Sequence, residues 1–231
     1  MLAWGGDGTI NEVASALVFG DVPMGIVPAG SGNGLATALG VHRNPRHAIA
    51  SALAAEPRLV DVGEIGSRFF VNVAGTGFDA EVAARFNDPA NTRRGARAYV
   101  ALTARALLDY RPRDYTITVD GHTRHTRALL VVLANGTEFG NGVLIARGAR
   151  VDDGALDAVV VEERTRFRTL CRLPWLVTRS IHRVRAWSRR LAKHVVIESD
   201  GPMLFHVDGE PAQGGTRLEA RIHPGALRVC V

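Results

Sequence analysis

Apolar residues recur along the chain with two different spacings, and the change falls near residue 57. Over 11–19, Val13, Ala16, Leu17 and Val18 follow the period of a helix that buries one side. Met24 to Val27 is a short unbroken apolar run stopped by Pro28, the pattern of a buried strand. Residues 35–39 start a further helix and 46–55 form another, ended by Pro57. From Leu59 the pattern is mostly that of strands, at 59–65, 69–73, 115–119, 123–133, 155–161, 195–198, 204–207, 218–222 and 227–231. One long helical pattern interrupts them over 94–110, where Tyr99, Leu102, Ala106 and Leu107 share a face and Pro112 closes the element. Asp120-Gly121 marks a tight hairpin turn. The pattern predicts an α/β unit over 1–57 and a β-rich domain over 58–217 carrying one or two helices. A last strand over about 218–231 can return to the first unit.

At 231 residues the chain has room for one large domain or two small ones. Its 46% hydrophobic and 22% charged residues exclude a disordered tail, a collagen-like fibre and a disulfide scaffold. No apolar run approaches the roughly 18 residues of a membrane-spanning helix. Residues 1–6 lack the basic and long apolar parts of a secretory signal. Cys171 and Cys230 form no CxxC pair, and a reducing, cytoplasmic compartment is the simplest expectation.

The formal net charge of +5 is almost wholly arginine, since Lys193 is the only lysine. Arginine forks grip phosphate at two points, so the charge suits phosphorylated ligands, nucleic acid or an anionic membrane without choosing among them. No RNA- or DNA-binding motif singles out nucleic acid. The arginine-rich stretch 164–190 has Phe167, Trp175, Leu176, Ile181 and Trp187 interspersed. That is the composition of a surface lying on an anionic bilayer, and also of a solvated basic face packed on the β-domain, which is the simpler reading. His122 and His125, beside the hairpin turn, read as solvated rather than metal-bound.

The sharpest chemical feature is Gly5-Gly6-Asp7-Gly8-Thr9 ahead of a helix. Glycines let the backbone approach a bulky anion, and the helix start offers free N–H groups and a favourable dipole. Asp7 repels phosphate but is placed to orient a magnesium ion, a water or a hydroxyl. Taken alone, the pentapeptide reads equally as a Gly-Asp-Gly turn capping a helix. A second flexible loop, Pro28-Ala29-Gly30-Ser31-Gly32-Asn33, follows the next strand. Two such loops at successive strand ends of one α/β unit converge on one crevice.

These two segments together resemble the diacylglycerol kinase catalytic family, which includes bacterial lipid kinases and the sphingosine kinases. The likeness continues in order along nearly the whole chain. It runs through Asn72-Val73-Ala74-Gly75-Thr76-Gly77-Phe78-Asp79-Ala80, Asn135-Gly136 with Gly140-Asn141-Gly142, Val151-Asp152-Asp153-Gly154-Ala155-Leu156, and Val207-Asp208-Gly209-Glu210-Pro211. The resemblance implies a Rossmann-like nucleotide domain, here without its opening part, followed by a β-sandwich-like domain. It implies ATP and Mg²⁺ as cofactors and transfer of the γ-phosphoryl group to a lipid hydroxyl at the inner face of the membrane. The ATP site would be lined by Gly5, Gly6, Asp7, Gly8, Thr9, Ile10, Asn11 and Glu12, with Gly30, Ser31 and Asn33 from the second loop. A structural magnesium would take the Asp153 side chain and the carbonyls of Arg150 and Ala155; without the resemblance, Asp152-Asp153-Gly154 reads as an acidic turn into a strand. Glu210 would accept the lipid hydroxyl's proton, ahead of Asp208, although Asp-Gly-Glu-Pro alone is an ordinary hairpin turn. In an extended turn these two carboxylates would point the same way.

The acceptor lipid, of diacylglycerol or sphingoid-base type, and a possible homodimer are left open. An NAD kinase-like enzyme and a lipid-binding homologue without activity are the competing readings. In the family about sixty residues, holding the opening strands and helices of the nucleotide domain, precede the first glycine pair; here only Met1–Trp4 do, so the resemblance implies either a miscalled start or a natural truncation. The chain as given is therefore expected to expose Val13, Ala16, Leu17, Met24, Ile26 and Val27, to bind ATP weakly and to open first within 1–57.

Overall fold

The computed structural model describes residues 1–91, 96–139, 143–163 and 187–231. Two parallel strands, β1 (Leu2–Gly5) and β2 (Met24–Pro28), are joined through helix α1 (Asp7–Leu17). Helix α1 begins four residues before the apolar period starts. The glycine turn itself supplies its first turn, with Gly6 as N-cap and Asp7 where a carboxylate suits the positive helix end. Two helices follow β2, α2 (Gly34–Ala38) and α3 (Pro45–Ala54). Asn44 caps α3 by accepting from the Arg46 N–H, and Pro45 stands at the first helical position.

The apolar run over 58–77 forms three strands, β3 (Arg58–Ile65), β4 (Arg68–Phe70) and β5 (Val73–Gly77). The single strand expected over 69–73 is thus divided at Val71 and Asn72. Helix α4 (Phe78–Asn87) follows β5 directly and had not been anticipated. Its buried stripe of Phe78, Val82 and Ala83 is too short for a periodicity window to register. Helix α5 (Ala96–Asp109) is the expected long helix. The remaining strands are β6 (Arg113–Val119), β7 (His122–Ala134), β8 (Leu156–Glu162), β9 (Trp187–Ala192), β10 (His194–Ser199), β11 (Leu204–Val207), β12 (Glu210–Gln213) and β13 (Arg217–Cys230). The strands expected at 218–222 and 227–231 are one strand, β13, with an irregularity between His223 and Leu227. Strand β9 takes up the end of the arginine-rich stretch and pairs with β8, while 164–186 lies outside the described residues.

Two long strands organise the sheets. Along one edge β13 keeps β3; along the other it passes from β10, at Arg217–Arg221, to β2, at Val229 and Cys230. Strand β7 keeps β8 on one edge and passes from β6 to β5 on the other. The largest core cluster includes Ile65, Phe70, Ile117, Leu133, Leu156, Ile197, Phe205 and Leu218. A second cluster joins Ile10, Met24, Ile26 and Leu35 to Val62, Leu227 and Val229, so α1, β2, β3 and β13 share one core. Helices α4 and α5 bury Phe78, Val82 and Ala106 on Val73, Leu130 and Val132. This α/β arrangement with a sandwich-like second part is the fold class expected. The expected exposure of β2 is corrected: Met24, Ile26 and Val27 are no more than 1% exposed, because β13 takes the edge of β2 opposite β1. On α1, Val13 and Leu17 are partly buried against this core and only Ala16 is exposed; exposed large apolar side chains of residues 1–57 include Leu2 and Trp4 on β1, Phe19, Val22 and Leu53. Among the described residues, no helix is long and apolar enough to cross a membrane.

Glu64 on β3 accepts from two residues of β13, Arg221 Nε at 2.8 Å and His223 Nε2 at 2.7 Å. The Arg221 hydrogen bond holds its carboxyl below the ordinary carboxylate pKa, against the opposing pull of burial. A depressed carboxylate pKa adds stability that is present above the unfolded value and is lost as pH falls through the folded one. Glu64→Gln should therefore lower Tm by about 2 °C at pH 7, the scale of a partly exposed ion pair. The difference should close as pH is lowered from about 4.5, read by thermal denaturation across a pH series.

Candidate active site at two glycine loops

The two glycine turns meet at the C-terminal ends of β1 and β2. A Cβ on Gly30 would stand 2.6 Å from the Cα of Gly6, so side chains are excluded where the loops cross. The Ala29 N–H donates to the Gly5 carbonyl at 2.9 Å. Asn33, left-handed at φ 57, folds its side chain back on Gly30, accepting from the N–H at 2.9 Å and donating to the carbonyl at 2.6 Å. Asp7 completes the junction: Oδ2 accepts from Asn33 N at 2.8 Å and Oδ1 from Gly34 N at 2.7 Å. Both carboxylate oxygens are thus occupied by backbone, and Asp7 braces one loop against the other.

The remaining loop residues separate into two groups. Thr9, Glu12 and Ser31 are exposed and Gly5, Gly6 and Gly8 are partly so. Ile10 is buried in the core shared with β2. Asn11 is buried too, and its amide donates to the Phe69 carbonyl at 2.9 Å and to Asp208 Oδ2 at 2.8 Å. These two were expected to line the nucleotide site; α1 instead presents them to the core and to the β11–β12 hairpin.

That hairpin turns on Asp208 and Gly209, both at positive φ, 48° and 90°. Asp208 is half-buried beneath it. Its carboxylate accepts from the N–H groups of Val71, Asn72 and Val73, at 2.8, 3.0 and 2.8 Å, and from Asn11. These bonds explain the break between β4 and β5, since the N–H groups missing from the ladder are consumed by Asp208. Burial pushes its pKa above the ordinary carboxylate value, and the N–H donors pull the other way. Glu210 diverges from it. It opens β12, is exposed, and its Oε1 stands 3.1 Å from where a Cβ on Gly8 would lie, over the first turn of α1. The expectation that the two carboxylates point the same way is therefore corrected, because Asp208 lies within the left-handed turn and not in an extended segment.

At the acidic turn, Asp153 is exposed and its Oδ1 accepts from Ala155 N at 3.1 Å. Partial burial raises its pKa, and the charges of Asp157 and Asp61 add to the rise, marking a spot with a surplus of negative charge. Arg150 turns its guanidinium to Asp152 at 3.1 Å. Among the described residues, no three His, Cys, Asp or Glu side chains gather as a metal cluster. One carboxylate with backbone carbonyls is nonetheless a donor set of hard oxygens that suits Mg²⁺, so the residues present fit it.

Buried Asp61, which sequence reasoning missed, accepts from Gly154 N at 2.7 Å and Gly225 N at 2.8 Å and ties this turn to β13. An acidic residue within an apolar β run was the available signal. Asn135, also buried, donates to the carbonyls of Asp61 and Val71, both at 2.9 Å. His206 was not singled out either. A small cavity of about 50 Å³ lies beside the hairpin, lined by Asp7, Asn72, Asp79, Tyr99, His206 and Asp208 among others.

A helix start cradled by two glycine loops, with an exposed carboxylate across it, defines a site for phosphoryl chemistry. The chain belongs to the diacylglycerol kinase catalytic family: residues 1–65 match the diacylglycerol kinase catalytic domain and 72–231 the YegS C-terminal NAD kinase beta sandwich-like domain. It is 30% identical over 231 residues to a Chromohalobacter salexigens protein named "Probable lipid kinase YegS-like", covering 98% of this chain and 74% of the relative. It is 31% identical over 242 residues to a diacylglycerol kinase of Mycobacterium tuberculosis, covering 99% and 75%. The fold is that of a diacylglycerol kinase from Bacillus anthracis, with TM-score 0.71, 20% identity and coverage of 99% and 75%. It is also that of an Archaeoglobus fulgidus NAD kinase in complex with ATP, with TM-score 0.56, 13% identity and coverage of 100% and 76%. The chain is a lipid kinase.

Asp7→Asn retains an acceptor for one of the two N–H groups and sets an amide against the other. The loss should cost about 1 kcal/mol of stability and raise the KM for ATP about tenfold with a smaller change in kcat. Thermal denaturation and steady-state kinetics read the two effects; an unchanged KM would show that the junction does not shape the nucleotide site.

Proposed function

We propose that the chain transfers the γ-phosphoryl group of ATP to the hydroxyl of a diacylglycerol- or sphingoid-type lipid presented at a membrane surface. The observation that carries this reading is the placement of Glu210 over Gly8, at the N-terminus of α1. There a carboxylate able to take a proton adjoins backbone suited to holding phosphate. The loops of Gly5–Thr9 and Gly30–Asn33 would hold the phosphates, with the hydroxyls of Thr9 and Ser31 at their rim. Glu210 would accept the acceptor hydroxyl's proton as its oxygen attacks phosphorus and the bond to ADP breaks. Asp208, with every carboxylate oxygen engaged, would hold the turn instead of moving a proton.

Glu210→Gln keeps size and hydrogen bonding but removes the base. It should lower kcat by about 10²–10⁴-fold while ATP binding persists. Labelled ATP supplied with lipid vesicles and, separately, with NAD reads the acceptor. Wild-type turnover in Glu210→Gln, or phosphate appearing on NAD alone, would overturn the proposal.

Magnesium would supply charge neutralisation to the nucleotide phosphates and, at Asp153 with the carbonyls of Arg150 and Ala155, would fasten the turn leading into β8. Asp153→Ala should lower Tm in magnesium buffer and change it little in EDTA, because only the native state gains from binding. Equal losses in both buffers would remove the metal assignment.

A further inference from the structure

Gly209, the second residue of the hairpin turn, is held at both of its polar backbone groups by residues outside the loops. Its N–H donates to His206 Nδ1 at 3.3 Å, and its carbonyl accepts from Asn87 Nδ2 at 2.8 Å. His206 is 4% exposed, and its other ring nitrogen, Nε2, faces Asp79 Oδ2 at 3.1 Å. The two contacts fix one tautomer: Nδ1 must accept from Gly209, so Nε2 carries the hydrogen and donates to Asp79. Asp79 and Asn87 are the second and last residues of α4, so one helix reaches the two peptide units flanking the Gly209 Cα, through His206 from one end and directly from the other.

The path from Asp79 to His206 is made by a glycine. Gly75 on β5 is the cross-strand partner of His206 on β11, and a Cβ on Gly75 would stand 2.1 Å from Asp79 Oδ2. Any side chain at Gly75 would therefore occupy the place of the carboxylate. Tyr99 of α5 packs nearby; burial first, then the charge of Asp79, pushes its phenol up to about 12.

We propose that α4 is the positioning element of the phosphotransfer step, with His206, Asp79 and Asn87 acting as positioning residues for the Gly209 peptide and through it for Glu210. This rests on the assignment of Glu210 as proton acceptor. Glu210 lies one peptide beyond a turn with two consecutive positive-φ residues, a geometry that hairpin pairing on β11 and β12 leaves free to rock about its tip. The two clamps hold the successive peptide planes on either side of the Gly209 Cα and oppose that motion. General-base catalysis depends on hydrogen-bond reach, so small shifts in the turn fall on kcat more than on ATP binding.

The test uses replacements that each keep one half of the imidazole. The oxygen of Asn at 206 can stand where Nδ1 stands and accept from Gly209, whereas Gln reaches the Nε2 position and meets Asp79 but not Gly209. His206→Asn should keep at least about fivefold more kcat than His206→Gln, with the KM for ATP within about twofold in both. A merely structural role would favour Gln, which is closer in volume. Exposed Asn87 gives a variant with little bearing on folding, and Asn87→Asp, which lacks the donor, should lower kcat about three- to tenfold at unchanged KM for ATP.

Each variant is also made in the Glu210→Gln background with labelled ATP and diacylglycerol-containing vesicles. Residues acting through Glu210 should cause little further loss there. Equal losses in both backgrounds, equal kcat for the two His206 variants, or full kcat in Asn87→Asp would overturn the proposal. Glu210→Gln alone reports separately on the assignment of the base.

Discussion

The carboxylate of Asp208 is the interaction on which the site depends. It sits under a hairpin of the second part of the chain and takes three successive backbone N–H groups from the segment between β4 and β5, together with the amide of Asn11 on α1. Buried N–H groups that leave a ladder must find acceptors elsewhere, and a buried carboxylate must find donors. Each need is met by the other. The result joins α1 and its phosphate-type N-terminus to the turn bearing Glu210, over a sequence separation no local signal spans.

The same economy recurs at the other acidic residues. Asp7 takes two N–H groups from the second glycine loop, and Asp61 takes one from the acidic turn, at Gly154, and one from the irregularity in β13, at Gly225. In each case a carboxylate takes up backbone N–H groups at a turn or at an irregularity in a strand. Glu210 and Asp153, by contrast, remain exposed. Burial and hydrogen bonding thus separate architectural acids from those able to meet a ligand.

Much of this was legible in the sequence. The helices of residues 1–65 and the strands β2 and β3, the hairpin at Asp120-Gly121 and the meeting of two glycine loops followed from period and turn chemistry, whereas the four residues of β1 are too few to register. Elements whose form depends on distant partners were not legible. The apolar stretch at 69–73 reads as one strand, and only Asp208, far along the chain, divides it. Helix α4 buries too short a stripe to stand out from the surrounding β pattern. The hydrogen bonds of Asp7 and Asn11 were illegible for a related reason: motif position marks them as belonging to the site, but only the folded geometry shows that each also meets backbone or side-chain partners of the protein. His206 gave no signal at all, since a lone histidine in an apolar strand acquires meaning only from Gly75 and Asp79 across the sheet.

The course of β13 bears on how the molecule folds. Strand β2 lies between β1 and a segment about two hundred residues later, where Val229 pairs with Met24. The first unit therefore cannot complete its sheet while the rest of the chain is unstructured, although its helices can form early. Closing so long a loop is entropically slow, and the reward comes only when β3, β10 and β2 all dock on the one strand. The two parts should accordingly gain and lose structure together, as a single cooperative unit with a late, rate-limiting insertion.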